Sequence, residues 1–218
     1  MPTALNIDPP HTALIIELMQ NDACHADGVY ARNGVSPAPI APLVPVQVRV
    51  AEACRAQGVA IIATKLTILT DLAGKAVGAG PIASVRPFLL KDGLRDGTWG
   101  HQVIDALPRA DYEIRKWVYS SFHRTELAHI LESLQIKYLI FMGIATEIAV
   151  ETTFREAIIR NYDVTVLSDC VLTYDQRQQA ASLLTMARLG RVVASADLLA
   201  YFSAQQSVQP RQLTPSTS

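Results

Sequence analysis

The 218-residue sequence has few cysteines and little net charge. Cys24, Cys54 and Cys170 are far apart, odd in number and without a CxxC spacing, which argues against a disulfide framework or a zinc site. Thiols used this sparingly suit a reducing, cytoplasmic setting. The formal net charge is -1, with no basic run and no acidic tail, so electrostatics gives no reason to expect nucleic acid or an anionic membrane as partner. No apolar run reaches the ~20 residues of a transmembrane helix. The start, "MPTALNIDPPHTALIIE", has no basic stretch ahead of a long apolar one and does not read as a signal peptide. Neither GxGxxG nor a P-loop is present. The five histidines form no HxH or HxxxH pair, and no Ser-His-Asp set is visible.

Half the residues are hydrophobic, enough for a sizeable core. "TALIIELM" (12–19) is a nearly continuous apolar run, as expected of a strand covered on both faces. Further strands are predicted at 59–65, 111–119, 137–143, 163–169 and 191–195, with helical patterns between most of them. Alternation of this kind means a doubly wound, three-layer α/β fold with a mainly parallel sheet of about six strands. We expect one domain over 1–202 and a flexible tail over 203–218. Residues 66–97 are glycine- and proline-rich, and 98–107 reads as a short helix or turn. Ligands of such folds sit at the carboxyl ends of the strands.

Three positions there draw attention. Glu17 lies within the first apolar run, where a carboxylate is costly to bury unpaired; it is either a strand-end cap or a functional acid. Lys116 shares its strand face with Tyr112, Ile114 and Val118. It either snorkels at a strand edge or points inward as a functional lysine. "GIATEIAVETTFREA" (143–157) reads as a strand, a tight turn and a helix. A helix start offers free N–H groups and partial positive charge, a setting that activates a nucleophile and builds an oxyanion hole. At position 149 the chain has alanine.

Four stretches, in order, resemble one family. "TALIIELMQNDAC" is similar to TALLVIDMQNDFC and "GTWGHQVIDAL" to GTWGAEIIDEL. "IRKWVYSSFHRTEL" resembles V-x-K-x-x-Y-S-A-F-x-x-T-D-L. "GIATEIAVETTFREA" resembles G-V-A-T-D-V-C-V-E-A-T-A-R-D-A. The chain thus resembles the isochorismatase-like superfamily of cysteine hydrolases from about residue 12 to 199: nicotinamidases, N-carbamoylsarcosine amidohydrolases, and ureidoacrylate or biuret hydrolases.

The resemblance implies hydrolysis of a C–N bond in a small amide, carbamoyl or ureido compound. An acid takes the cysteine's proton, the thiolate attacks the carbonyl, and a lysine holds the acid and the developing charge. It implies Lys116 as that lysine, Ala149 at the nucleophile position, Ile144 and Ala145 at the oxyanion or substrate site, and a cis Ile144–Ala145 peptide. The chain departs from the pattern twice. Ala149 replaces the cysteine, most simply as an inactivated Cys-to-Ala form; a natural pseudoenzyme is the alternative. Leu18 aligns with the family's aspartate, so Glu17 serves as the acid only if a local bulge turns it into the site; Asp22 is the fallback. Two other functions stay open: a cysteine-free ether hydrolase of isochorismatase type, and a non-catalytic small-molecule binder. "IIATKLTILTD" lacks the histidines of the nicotinamidase metal site, so no catalytic metal and no cofactor are expected. The resemblance and the apolar segment 71–90 together imply a homo-oligomer.

Overall fold

The computed structural model describes Leu5 and residues 7–208, the last three by backbone alone. In chain order the elements are β1 (Thr12–Glu17), α1 (Asn21–Cys24), α2 (Val29–Arg32), α3 (Val44–Ala56), β2 (Ala60–Leu66), β3 (Leu69–Thr70), β4 (Ala76–Val77) and α4 (Ile82–Val85). There follow β5 (Tyr112–Lys116), α5 (Leu127–Ser133), β6 (Tyr138–Ile144), α6 (Glu151–Ile159), β7 (Asp163–Leu172), α7 (Gln176–Leu189), β8 (Arg191–Val193) and α8 (Ser195–Val208). The main sheet has six strands in the order β5-β2-β1-β6-β7-β8, and every neighbouring pair is parallel. β3 and β4 form a separate antiparallel hairpin within the segment read as irregular.

Each central strand buries both faces, which is why β1 and β6 read as unbroken apolar runs rather than alternating ones. Leu14, Ile16, Ile61, Ala63, Ile140 and Met142 pack on one side with Val50 and Cys54 of α3 and Leu198 of α8. Ala13, Ile15, Ile62, Ile114, Leu139 and Phe141 pack on the other with Leu127 of α5, Phe154 of α6 and Met186 of α7. Fully buried side chains such as Phe141 and Phe154 contribute roughly 1.5–3 kcal/mol each. α3 stops at Gly58, whose φ of +77° lets Val59 N–H reach the Cys54 carbonyl at 3.0 Å. α7 starts on Asp175, whose carboxylate accepts from the amides of Arg177 and Gln178.

The sheet order reverses direction between β1 and β6, and at such a switch point the chain leaves the two strand ends toward opposite faces and opens a crevice. Several strand ends differ from expectation: β7 runs on to Leu172 and β8 stops at Val193. β1 stops at Glu17 because Leu18 turns left-handed (φ +57°), and β5 stops at Lys116. α8 continues through Val208, so residues 203–208, expected as flexible tail, are helical; the rest of that tail lies outside the described residues. Among the described residues no helix is long and apolar enough to cross a membrane.

Gly143 lets β6 lie against β1. Its φ is +136°, and a Cβ there would fall 2.2 Å from the Glu17 carbonyl oxygen. Gly143→Ala is expected to cost more than about 1 kcal/mol, from strain and overpacking together. The check is the urea midpoint; an unchanged midpoint contradicts it.

Candidate active site

A cleft lies at the carboxyl ends of the strands. Leu18 follows β1, Leu66 ends β2, Lys116 ends β5, Ile144–Ala149 turn out of β6, and Thr173 and Tyr174 follow β7. Tyr30 of α2, together with Ile82, Val85 and Arg86 at α4, completes the wall. Two loops without a recognisable sequence pattern thus supply part of the lining.

Lys116 and Glu17 meet behind this wall. Strand alternation puts Lys116 in phase with Ile114 and Glu17 in phase with Ala13 and Ile15, and all three apolar residues belong to the same core layer. The expected bulge is absent: Glu17 stays in register with Thr64 of β2 and Gly143 of β6. No bulge is needed, because Glu17 and Lys116 already face the same side. Glu17 Oε2 accepts from Lys116 Nζ at 2.5 Å and from Thr64 Oγ1 at 2.6 Å, and Oε1 accepts from Ser121 Oγ at 2.7 Å. Lys116 Nζ also donates to the Tyr119 carbonyl at 2.9 Å. Both charged side chains have 0% exposure. Burial pulls the Lys116 ammonium below its ordinary pKa, and Glu17 counteracts that.

Glu17 itself does not line the cleft; Leu18 does. Lys116 and Ala149 therefore share the wall, with the carboxylate one layer back. A polar chain leads from that carboxylate to the turn after β6. Ser121 N–H donates to Thr153 Oγ1 at 3.1 Å, and the Thr153 hydroxyl donates to the Ala149 carbonyl at 2.9 Å. Thr64, Ser121 and Thr153 were not singled out from sequence. Ser121 stands in "KWVYSSF" and Thr153 one helical turn after position 149, so both were within reach of the motifs.

The turn after β6 is made differently from expectation. Among the described residues there is no cis peptide, so the Ile144–Ala145 bond is trans. Ala145 reverses the chain instead, in the left-handed region at φ 60° and ψ 56°, a conformation that costs a non-glycine residue about 1–3 kcal/mol. One π-helical turn, Thr146–Val150, precedes α6. The amides of Ile148, Ala149 and Val150 converge on the Ala145 carbonyl at 3.1, 2.7 and 3.3 Å, so the Ala149 N–H is directed there and not into the cleft. Ala149 is buried, with a methyl group where the nucleophile was sought.

The remaining candidates are occupied elsewhere. Asp22 accepts from the amides of Val29 at 3.1 Å and Leu94 at 2.6 Å, which ties two loops together. The three cysteines are free thiols, and burial raises each to a pKa of about 12, the reverse of nucleophile activation. Among the described residues no three His, Cys, Asp or Glu side chains gather as metal ligands.

Residues 12–197 match the family model described as "Isochorismatase domain". The ureidoacrylate amidohydrolase RutB of Serratia proteamaculans is 32% identical over 183 residues, covering 77% of this chain and 72% of that protein. That of Pantoea ananatis is 32% identical over 180 residues, covering 77% and 72%. Among solved structures, a cysteine hydrolase from Pseudomonas syringae pv. phaseolicola superposes with a TM-score of 0.80 at 25% identity, covering 94% of this chain and 98% of that one.

The buried pair sets a stability prediction. Lys116→Met leaves Glu17 charged and without its ionic partner, and is expected to cost about 3–5 kcal/mol. Adding Glu17→Leu to it is expected to cost less than the two single changes summed, because the second removes the orphaned charge. Urea unfolding of the three variants checks this; strict additivity counts against a coupled pair.

Proposed function

The chain belongs to the isochorismatase domain family, a family of hydrolases, and on that premise we propose that it is the cysteine-less form of a C–N hydrolase, binding a small amide, carbamoyl or ureido compound without hydrolysing it. The observation that carries this reading is the methyl of Ala149 in the cleft wall beside Lys116, with no thiol, hydroxyl or free carboxylate in the nucleophile's place. The 32% identity to two ureidoacrylate amidohydrolases supports the substrate class.

The geometry supports the following roles. Ala149 marks the nucleophile position. Lys116 supplies positive charge at the wall, and Glu17 holds that lysine in place. Ile144 and Ala145 border the seat of the scissile carbonyl. A thiol at 149 needs an acceptor for its proton, and Glu17 already accepts three hydrogen bonds behind the wall. Leu18 occupies the wall where the family carries aspartate. The reactive set is therefore short of two groups, which a single Cys-to-Ala replacement does not account for. This second departure favours a natural small-molecule binding protein over an inactivated enzyme. No observation favours the cysteine-free ether hydrolase over this reading.

Leu18→Asp/Ala149→Cys is expected to release ammonia and to form a covalent adduct on the new cysteine visible by mass spectrometry, a thioester from an amide and an S-carbamoyl group from a ureido substrate. It should exceed Ala149→Cys alone by about 10²-fold or more, the usual contribution of a positioned base. The parent chain should bind the same compounds with no ammonia above background. A double variant that binds them but forms neither a covalent cysteine adduct nor ammonia overturns the placement of the nucleophile at 149.

We further propose a homo-oligomer in a cytoplasmic setting. Leu69, Leu72, Val77, Val85 and Leu90 are exposed along the hairpin and α4, an apolar surface of the kind interfaces cover. Light scattering at micromolar concentration should give at least twice the chain mass, and Leu72→Asp/Val77→Asp should lower it to one; a monomeric parent contradicts the proposal.

A further inference from the structure

The cleft contains charged and polar groups that the family's reactive set does not use. Arg32, Arg55, Arg115, Arg155, Arg160 and Arg191 each pair with a carboxylate. Arg86, in the cleft wall, pairs with none among the described residues. Its guanidinium lies 5.7 Å from the Tyr30 ring centroid, and Nη1 donates to the adjacent Val85 carbonyl at 3.0 Å. Tyr174, in the same wall, has a buried hydroxyl with no hydrogen-bond partner. A buried hydroxyl left unpaired in a folded protein calls for an explanation, and a ligand atom is one. The charge of Arg86 reaches Tyr174 as well as Tyr30: burial raises both phenols, Tyr174 to about 12, and Arg86 pulls them back. At that value the Tyr174 hydroxyl keeps its proton near neutral pH and is a donor.

A guanidinium without a carboxylate partner, held by Tyr30 and the Val85 carbonyl, in the same wall as an unpaired phenol, is a recognition pair for a planar anion. A carboxylate accepts from the guanidinium fork in parallel and has lone pairs left for a hydroxyl. Lys116 does not compete for it, because its charge is already met by Glu17 at 2.5 Å. We infer that Arg86 and Tyr174 form a carboxylate-selecting subsite, so that the ligand is an acid and not a neutral amide. The inference rests on the reading of the cleft as a small-amide site and adds the second functional group of the ligand. Glu147, on the turn after β6, completes the pattern. Its Oε2 is buried in the wall without a partner. It is an acceptor for the N–H groups of a ureido or amide end, while the apolar side chains of Leu18 and Ile148 suit a short hydrocarbon link between the two ends. Sequence gave no sign of this subsite, because Arg86 and Tyr174 come from separate loops with no shared motif.

The test is calorimetric titration of the full chain with 3-ureidopropionate, its neutral analogue 3-ureidopropionamide, and hexanoate, an acid of matched length without the ureido group. The acid is expected to bind about tenfold or more tightly than the neutral amide, the range of a charge-assisted hydrogen bond. Arg86→Gln should remove that preference, Arg86→Lys should keep part of it, and Tyr174→Phe should weaken the acid severalfold. Thermal melting confirms that each variant is folded. Equal binding of acid and neutral amide overturns the subsite and leaves the ureido reading standing. Hexanoate binding as tightly as 3-ureidopropionate, with loss in Arg86→Gln, upholds the subsite and overturns the ureido reading. An acid preference that survives Arg86→Gln overturns the assignment to Arg86, and absence of binding by all three compounds overturns both readings.

Discussion

A fully buried carboxylate bonded to a fully buried ammonium fixes the arrangement at the centre of this protein. Glu17 ends β1 and Lys116 ends β5, two strands separated in the sheet by β2. Their contact spans the width of three strands at the carboxyl edge. Neither charge is tolerable there alone. The pair is held because Thr64 from the intervening strand and Ser121 from the loop after β5 occupy the remaining acceptor sites of Glu17. Every strand end that faces the cleft on this side of the switch point is thus tied to one carboxylate.

The turn that carries Ala149 depends on the same anchor. The Ser121 amide bonds the Thr153 hydroxyl, and that hydroxyl bonds the Ala149 carbonyl, so the first turns of the helical segment after β6 are held against the loop after β5 and not by sheet hydrogen bonds. Ala145 in the left-handed region and the π-helical turn after it are both costly backbone states, and they sit where the surrounding contacts hold them most firmly. The strained turn stands in the same cleft wall as Lys116, with Leu18 and Ala149 beside it.

The framework and the ligand-facing surface come from different sources. Lys116, Ala149 and the ends of the strands are set by the sheet, which is rigid. Tyr30, Arg86 and Tyr174 come from connections outside it, and these supply much of what the cleft presents to a ligand. That division lets related chains keep one mechanism while changing substrate.

The sequence by itself determined the layers and the order of elements. Continuous apolar runs such as "TALIIE" and "YLIFMGI" are strands buried on both faces, and the helical patterns between them force parallel pairing. It put Lys116 in phase with Ile114 and located Ala149 just beyond the end of β6, but whether Lys116 snorkels or points inward was decided only by the structure, which buries it completely. Tertiary structure alone decided how Glu17 is used. Alternation along one strand gives a face but not the neighbour, and it took the β5-β2-β1 order to show that Glu17 and Lys116 share a face without any bulge. It alone decided that the turn reverses through left-handed Ala145 with a trans peptide, because φ and ψ at a non-glycine residue are not written in local composition. It alone brought Arg86 and Tyr174 to one wall, for their separation along the chain is bridged by the sheet and by no pattern of residues.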